Sequence, residues 1–404
     1  MALMIKQPFA RQYFHINLAF RFITTPLASV YRNLMPLTNA VLCYAKHVTL
    51  HATVWKILKN KESKLQNGIL KRDKVKLYAK IAPMLKLLIV KTSSLGDVIH
   101  NLPVIHDIQS HYPNIKIDWI VEESFADVPR LHPNVNKVIT VAIRRWRKNL
   151  LSKKTWQEIF AFRRRIRQEQ YDLVLDTQGL VKSGLISWMI RGEKHGYDKN
   201  SIREPLASLF YNVRHSVSRK LHAVTRNRHL AAASLSYQSP IDIPEYGIKA
   251  LKTPVIEMSQ AYAIGLHGTS RDSKLWPTEY WIALGQALAE QKAHLVLPWA
   301  SKAEHERAMA IASTLNNATV LPKLSIAELA GVISHAKYAI GVDTGLSHLA
   351  VALGIPTIAI YTDTDPALTG VLAGKNAPAI NLGNKNQIPS VPDVLTALLS
   401  FSKK

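Results

Sequence analysis

Met84-Leu85-Lys86-Leu87-Leu88-Ile89-Val90, followed at once by Lys91-Thr92-Ser93-Ser94-Leu95-Gly96-Asp97-Val98, is the passage on which the fold turns. A short apolar run gives way to a loop of small and hydroxyl residues, and helical spacing then continues over Val98–Tyr112. This is strand–turn–helix grammar, the opening unit of an α/β domain. Ligands of open α/β sheets bind at the carboxyl ends of strands, which is where this loop falls. Gly96 allows close backbone approach, and the helix start favours negative charge. The loop is neither a G-x-G-x-x-G dinucleotide fingerprint nor a G-x-x-x-x-G-K-[ST] P-loop. An Asp at a helix start, such as Asp97, is ordinarily an N-cap; one that faces a cleft can instead take a proton from a hydroxyl.

The grammar repeats downstream. Strands are expected at Lys116–Val121, Lys137–Val141 and Leu173–Asp176, with a basic helix over Lys154–Gln170. Around Tyr237–Glu257 the chain becomes Pro-rich (Pro240, Pro244, Pro254), as a linker would. A second series follows at Ala263–His267, His294–Pro298, Thr319–Leu321, Tyr338–Val342 and Thr357–Tyr361. The simplest architecture is α/β with two Rossmann-like domains, 84–245 and 246–390, facing a central cleft. A C-terminal helix lies within 391–404, and its stretch Val391–Ser402 is expected to pack back on the first domain.

Upstream of Met84 the texture differs. The chain has 404 residues and a formal charge of +24, and residues 1–83 carry half of that excess. They show no strong hydrophobic period. The expectation is an extension from an upstream translation start without a fold of its own; the functional alternative is a basic arm attracted to membranes. The single cysteine, Cys43, lies there too, so 84–404 can hold no disulfide, zinc–thiolate cluster or cysteine nucleophile. No run of about 18 uncharged apolar residues is present, so no membrane-spanning helix is expected. The charge itself calls for acidic partners: nucleic acid, an anionic membrane or a phosphorylated substrate.

Three loops of the second half carry groups suited to a nucleotide sugar. Thr269, Ser270 and Lys274 follow a strand and suit a diphosphate, with Lys274 placed to neutralise a departing one; an exposed polar loop is the plain alternative. Asp343-Thr344-Gly345-Leu346-Ser347-His348 follows another strand. Asp343 there suits sugar hydroxyls, and the helix start at Gly345 suits phosphate; His348 faces either ligand or the helix packing. Glu304 could hold a ribose hydroxyl or simply be a first-turn acid. Asp363-Thr364-Asp365 has the D-x-D form of a metal site, but its place before Pro366 suits a turn. Arg144, Arg145, Arg147 and Lys148 sit after a strand, where arginine forks suit carboxylate or phosphate. The run Arg163–Arg165 with Arg167 reads as a solvated helix face.

Together these blocks resemble the ADP-heptose:lipopolysaccharide heptosyltransferases, glycosyltransferase family 9. The resemblance covers nearly all of 84–404. It rests on KTSSLGDVIHNLP (91–103), DWIVEESFA (118–126), VAIRRWRK (141–148), DTQGLVKS (176–183), REPLASLFYN (203–212), SRDSKLWP (270–277) and VDTGLSHLAVALG (342–354). It implies a GT-B fold, with the acceptor on the first domain and the nucleotide sugar on the second. The implied reaction moves L-glycero-D-manno-heptose from ADP-heptose to the inner Kdo of Kdo2-lipid A, with inversion. It implies no cofactor and no metal, ADP-heptose being a substrate. Asp97 matches the family's base. Thr269, Ser270 (where threonine is common) and Lys274 match the diphosphate loop, Asp343, Thr344, Gly345 and His348 the donor site, and Glu304 the ribose contact. Leu324 stands where methionine is often found near the adenine. Arg144, Arg145, Arg147, Lys148 and Arg203 match the basic acceptor groups. A monomer is expected, peripheral on the anionic cytoplasmic face of the inner membrane and without nucleic acid. The alternatives are a related transferase acting on a later core sugar or using another donor, and a non-catalytic basic module for membrane or nucleic acid. Asp97, Lys274 and Asp343 together argue against the module.

Overall fold

The structure, a computed structural model, describes residues 85–250, 260–375 and 378–401. The segment 1–83 and the linker residues 251–259 lie outside the described residues.

The first sheet has six parallel strands: β1 Lys86–Val90, β2 Lys116–Glu122, β3 Val135–Val141, β4 Gln170–Asp176, β5 Arg191–Tyr197 and β6 Val213–His215. Their order is β3-β2-β1-β4-β5-β6. Leu87, Leu88, Ile89 and Val90 are wholly buried, as the apolar run requires of a central strand covered on both faces. The winding reverses between β1 and β4, so the loop after β1 opens at a topological switch point, the usual ligand crevice of such sheets.

The second sheet repeats the pattern with β7 Tyr262–Leu266, β8 His294–Leu297, β9 Ala318–Val320, β10 Tyr338–Val342, β11 Thr357–Tyr361 and β12 Ala379–Gly383. Its order is β12-β11-β10-β7-β8-β9, all parallel. The switch lies between β7 and β10, so the loops bearing Lys274 and Asp343 are neighbours. Trp276 and Trp281, both fully buried and edge-to-face at 5.2 Å, anchor the core on one face.

Three strands were not foreseen. Arg191–Tyr197 (RGEKHGY) lacks an apolar run because only its last three residues are buried. Val213–His215 has three residues, and Ala379–Gly383 is a half-buried edge. The helix expected over Val98–Tyr112 is two helices, Leu95–Ile99 and Leu102–His111. The break falls at His100–Asn101, and Pro103 sits in the first turn of the second helix, where its missing N–H costs nothing.

The final helix, Val391–Phe401, does not pack on the first domain as expected. Its stripe Val394, Ala397 and Leu398 joins the second-sheet core with Trp281, Leu284 and Ile358. Trp276 Nε1 donates to the Pro389 carbonyl at 2.8 Å and fixes the helix start there. Helix Ala223–Leu235 is tied to helix Leu102–His111 by Arg228, whose Nε and Nη2 donate to Asp107 at 2.7 and 2.9 Å. Both side chains are buried, so neither charge has water as an alternative partner.

Candidate active site

The loop after β1 is held by its neighbour after β4. Gln178 Oε1 accepts from the backbone N–H of Thr92 and of Ser93, each at 3.0 Å. The buried Lys91 donates through Nζ to the Thr177 carbonyl at 2.9 Å. Asp176, at the end of β4, takes hydrogen bonds from Tyr211 Oη and from the N–H of Gln178, both at 2.8 Å, and so shapes the second loop. Burial nonetheless pushes its carboxyl above the usual range. Asp97 lies in the first turn of helix Leu95–Ile99, where its Oδ2 accepts from Ser94 N at 2.8 Å and Ser94 Oγ at 3.1 Å. Ser94, not Asp97, is thus the N-cap; Asp97 is the N3 acid of a capping box, and that box fixes its carboxylate.

Two lysines, Lys91 and Lys182, lie within electrostatic reach of that carboxylate. Burial lowers the Lys91 ammonium below its ordinary range; Asp97 and Asp176 oppose this, and Arg226 and Arg203 add to it. Burial likewise lowers Lys182; Glu122 and Asp97 oppose, while Arg144 and Arg147 add. Lys182 Nζ also donates to Ser93 Oγ at 2.9 Å, directly beside the Asp97 turn. Arg203, Arg144 and Arg147 are thus brought within electrostatic reach of the lysines that border Asp97. Arg144 stacks over the Phe125 ring at 4.8 Å. Arg145 points elsewhere: it bonds Glu123 at 3.0 and 3.1 Å and Glu158 at 2.7 Å. Lys148 is exposed at the end of helix Ile143–Lys148, whose inward residues are Ile143 and Trp146. Lys91, Lys182 and Arg226 were not among the predicted site residues. The first two had a signal, since each lies beside or just beyond the end of a central strand. Arg226, in the first turn of helix Ala223–Leu235, had none.

On the second sheet, Lys274 Nζ meets Asp343 Oδ2 at 2.6 Å, with the two side chains 18% and 16% exposed. Thr269 Oγ1 donates to the Asp343 carbonyl at 2.8 Å, joining the loops after β7 and β10. Ser270 is exposed on the first of these loops, and Thr344 is the N-cap residue of helix Gly345–Ala352. Glu304 caps helix Lys302–Ala312 by accepting from Ala300 N at 2.7 Å and Ser301 N at 3.1 Å. It also abuts the β7 loop: a Cβ on Gly268 would lie 2.8 Å from its carboxyl carbon. Leu324 is half-buried just before helix Ile326–Ser334. Asp363 accepts from Ser273 Oγ at 2.7 Å and Asp365 from Ala367 N at 2.9 Å, the bonds of a loop clasp and a turn. Among the described residues no group of three or more His, Cys, Asp or Glu is arranged to hold a metal ion.

The two halves of the site meet through glycines. A Cβ on Gly345 would lie 2.7 Å from Cβ and Cγ of Leu95, and one on Gly96 would lie 3.2 Å from Cδ2 of His348. Behind this contact His100 Nε2 and His348 Nδ1 are 3.1 Å apart, with the His222 ring 5.5 Å from that of His100. Burial holds His348 down at about 4; the carboxylates of Asp343 and Asp97 act against it, and His222 and Lys274 with it. One buried ring thus feels the charge of Asp97, Asp343 and Lys274, which come from three different strand ends. A carboxylate with two lysines in electrostatic reach thus lies across this contact from a lysine and a helix N-terminus. That arrangement suits transfer of a group from a phosphate leaving group to a hydroxyl on an acidic acceptor.

Residues 159–393 match the model of glycosyltransferase family 9 (heptosyltransferase). The chain is 47% identical over 309 residues to lipopolysaccharide heptosyltransferase 1 of Escherichia coli (strain K12), covering 75% of this chain and 97% of that one. Among solved structures it resembles E. coli heptosyltransferase WaaC with ADP, at TM-score 0.73 and 42% identity over 78% of this chain and 99% of that chain. WaaC with ADP-2-deoxy-2-fluoro heptose superposes at TM-score 0.70 and 41% identity, with the same coverage.

Proposed function

From the premise that this chain belongs to glycosyltransferase family 9, the heptosyltransferases, we infer that it transfers heptose from ADP-heptose in building the lipopolysaccharide core. The chain is a glycosyltransferase of GT-B fold. In more detail, the proposed donor sugar is L-glycero-D-manno-heptose and the acceptor the inner Kdo of Kdo2-lipid A. The acceptor half is 84–245 and the donor half 246–390. The observation that carries the proposal is the packing of the Asp97 turn on the Gly345 helix start, through Gly96 and His348.

Asp97 takes the proton of the acceptor hydroxyl as that oxygen attacks the anomeric carbon, a step typically worth ~10²–10⁴ in rate. The anomeric bond to the ADP oxygen breaks on the opposite face, so the centre inverts in one displacement. Lys274 leaves its bond to Asp343 for the diphosphate, and the helix start at Thr344–Gly345 offers backbone N–H groups to the same charge. Asp343 is then free to accept from sugar hydroxyls. Thr269 and Ser270 line the diphosphate loop, His348 backs it, and Glu304 turns its second oxygen to the ribose. No step calls for a metal, because the lysine and the helix dipole supply the positive charge. Arg144, Arg147, Arg203 and Lys182 hold the acidic acceptor; Arg145 and Lys148 stand further out on the same helix. A lipid-borne acceptor places the enzyme, as a peripheral monomer, on the anionic cytoplasmic face of the inner membrane, where each nearby Lys or Arg contributes ~1 kcal/mol.

Mass spectrometry of Kdo2-lipid A incubated with ADP-heptose and the enzyme tests this. One added heptose is the expected product. An unmodified acceptor, with a later core oligosaccharide modified instead, would move the activity to another member of the family.

A further inference from the structure

Three neighbouring elements of the first domain turn large apolar side chains to solvent. Helix Lys153–Arg167 exposes Trp156 and Phe160, whose rings stand 6.2 Å apart. Helix Val181–Met189 packs beside it and exposes Leu185 and Trp188. The 3₁₀ turn Pro205–Phe210 packs on that helix in turn and exposes Leu206 and Leu209, each 68% accessible. The last contact is tight: a Cβ on Gly184 would lie 2.6 Å from the Phe210 ring. The spacing is not that of a core. In each element the outward pair sits at i, i+3 or i, i+4, on one stripe, while Phe162, Ile166 and Ile186 fill the interior. Leu151, at the tip of the preceding loop, is fully exposed, and Trp156 Nε1 holds that loop by donating to the Leu150 carbonyl at 2.8 Å.

The outward stripe of the first helix is basic, and the exposed acid of the 3₁₀ turn, Glu204, is engaged by the N–H of Val181 at 2.7 Å. Arg163 and Arg167 share the stripe of Trp156 and Phe160, at i+7 and i+11, and both are exposed. Glu158, the helix's one acid, is on the other flank, bound to Arg145 and Trp146. The face is also continuous with the mouth of the site. Lys182, beside the Asp97 turn, is three residues before Leu185, and Arg203 is three before Leu206.

We propose that this face is a docking surface for an anionic lipid bilayer, into whose interface Trp156, Trp188, Leu206 and Leu209 insert while Arg163 and Arg167 meet headgroup phosphates. It deepens the membrane reading above and rests on it for the acceptor. Tryptophan and leucine with arginine on the same helix stripe is the chemistry of an interfacial anchor, the arginines being complementary to anionic headgroups. The placement delivers a lipid-borne sugar to the Asp97 loop, beside Lys182 and Arg203, without lifting the lipid from the membrane.

The test compares the full chain with its Trp188→Ser/Leu209→Ser variant. Both positions are exposed, and unchanged circular dichroism and urea midpoints check the fold. The full chain is expected to sediment with phosphatidylglycerol–phosphatidylethanolamine vesicles and to keep part of that binding at high salt. The variant should bind about tenfold more weakly, with its residual binding abolished by salt. Residues 1–83 are the same in both proteins, so the difference reports on this face. Transfer to a deacylated, water-soluble acceptor should be equal in the two; absence of transfer in both would sink the proposed function but leave the vesicle result intact. Equal vesicle binding by the two proteins would overturn the docking proposal. So would a wild-type dimer by analytical ultracentrifugation that the variant cannot form, which would assign the face to a second copy.

Discussion

His100 and His348 share a hydrogen bond across the two halves of the site, Nε2 to Nδ1 at 3.1 Å, in a place where both rings are buried. One nitrogen must donate and the other accept, so the bond exists only while at least one ring is neutral. The sequence put these residues 248 positions apart, and the break between the first two helices is what frees His100 to face the seam.

The pH dependence of stability follows. Burial lowers both rings, His100 well below its usual value and His348 to about 4. The unfolded chain therefore binds more protons between the unfolded value near 6.5 and the folded one. Stability from these groups is fully present above about pH 6.5 and is lost as pH falls toward 4, by ~2 kcal/mol for His348 alone at pH 5. Urea midpoints at pH 7.5 and 5 should show this fall in the wild type and a smaller one in His348→Gln. Equal falls would remove His348 as the cause.

Asp97 has two duties that two substitutions separate. Asp97→Asn keeps an acceptor for Ser94 but no base, so transfer should fall ~10²–10⁴-fold with stability nearly unchanged. Asp97→Ala should lose transfer equally and also ~0.3–1.5 kcal/mol of stability, as the capping box opens. Binding of ADP-heptose, followed calorimetrically, should survive both. Wild-type turnover by the Asn variant would end the base assignment.

Lys274 and Asp343 bond at 2.6 Å in a partly buried position, so their effects should be coupled. Lys274→Met should weaken ADP binding by about 1.5–3 kcal/mol, the scale of a charged hydrogen bond. Asp343→Asn should weaken the sugar donor more than ADP, because it removes an acceptor for sugar hydroxyls. In a double-mutant cycle on stability the two changes should fall short of additive; strict additivity would mean that the pair does not act as a unit.

Gly345→Ala should impair transfer more than ADP binding. The new methyl meets Leu95 at 2.7 Å, at Cβ and Cγ rather than at a flexible tip, so the two turns must part. Gly96→Ala comes nearest to the His348 ring, at 3.2 Å, with the Gly345 Cα at an ordinary 3.9 Å, and should be milder. Kinetics in which both variants match the wild type would show that this contact does not set the reacting geometry.

The two βα series, the position of the Asp97 loop after the first strand, and the loops that bear Lys274 and Asp343 are legible in the order of residues alone. Those features are local: buried strands are apolar runs, and the polar loop that follows each one is contiguous in the chain. The rest follows from long-range packing. The strands Arg191–Tyr197 and Val213–His215 form because neighbours supply the burial their own residues lack. The last helix joins the second sheet because Val394, Ala397 and Leu398 complete a core with Trp281, whereas an apolar stripe alone names no partner. Arg145 is drawn to Glu123 and Glu158 while Arg144 and Arg147 stay near the mouth, a division that four adjacent basic residues do not announce. The His100–His348 bond spans 248 residues, and no local pattern encodes which distant side chain will arrive.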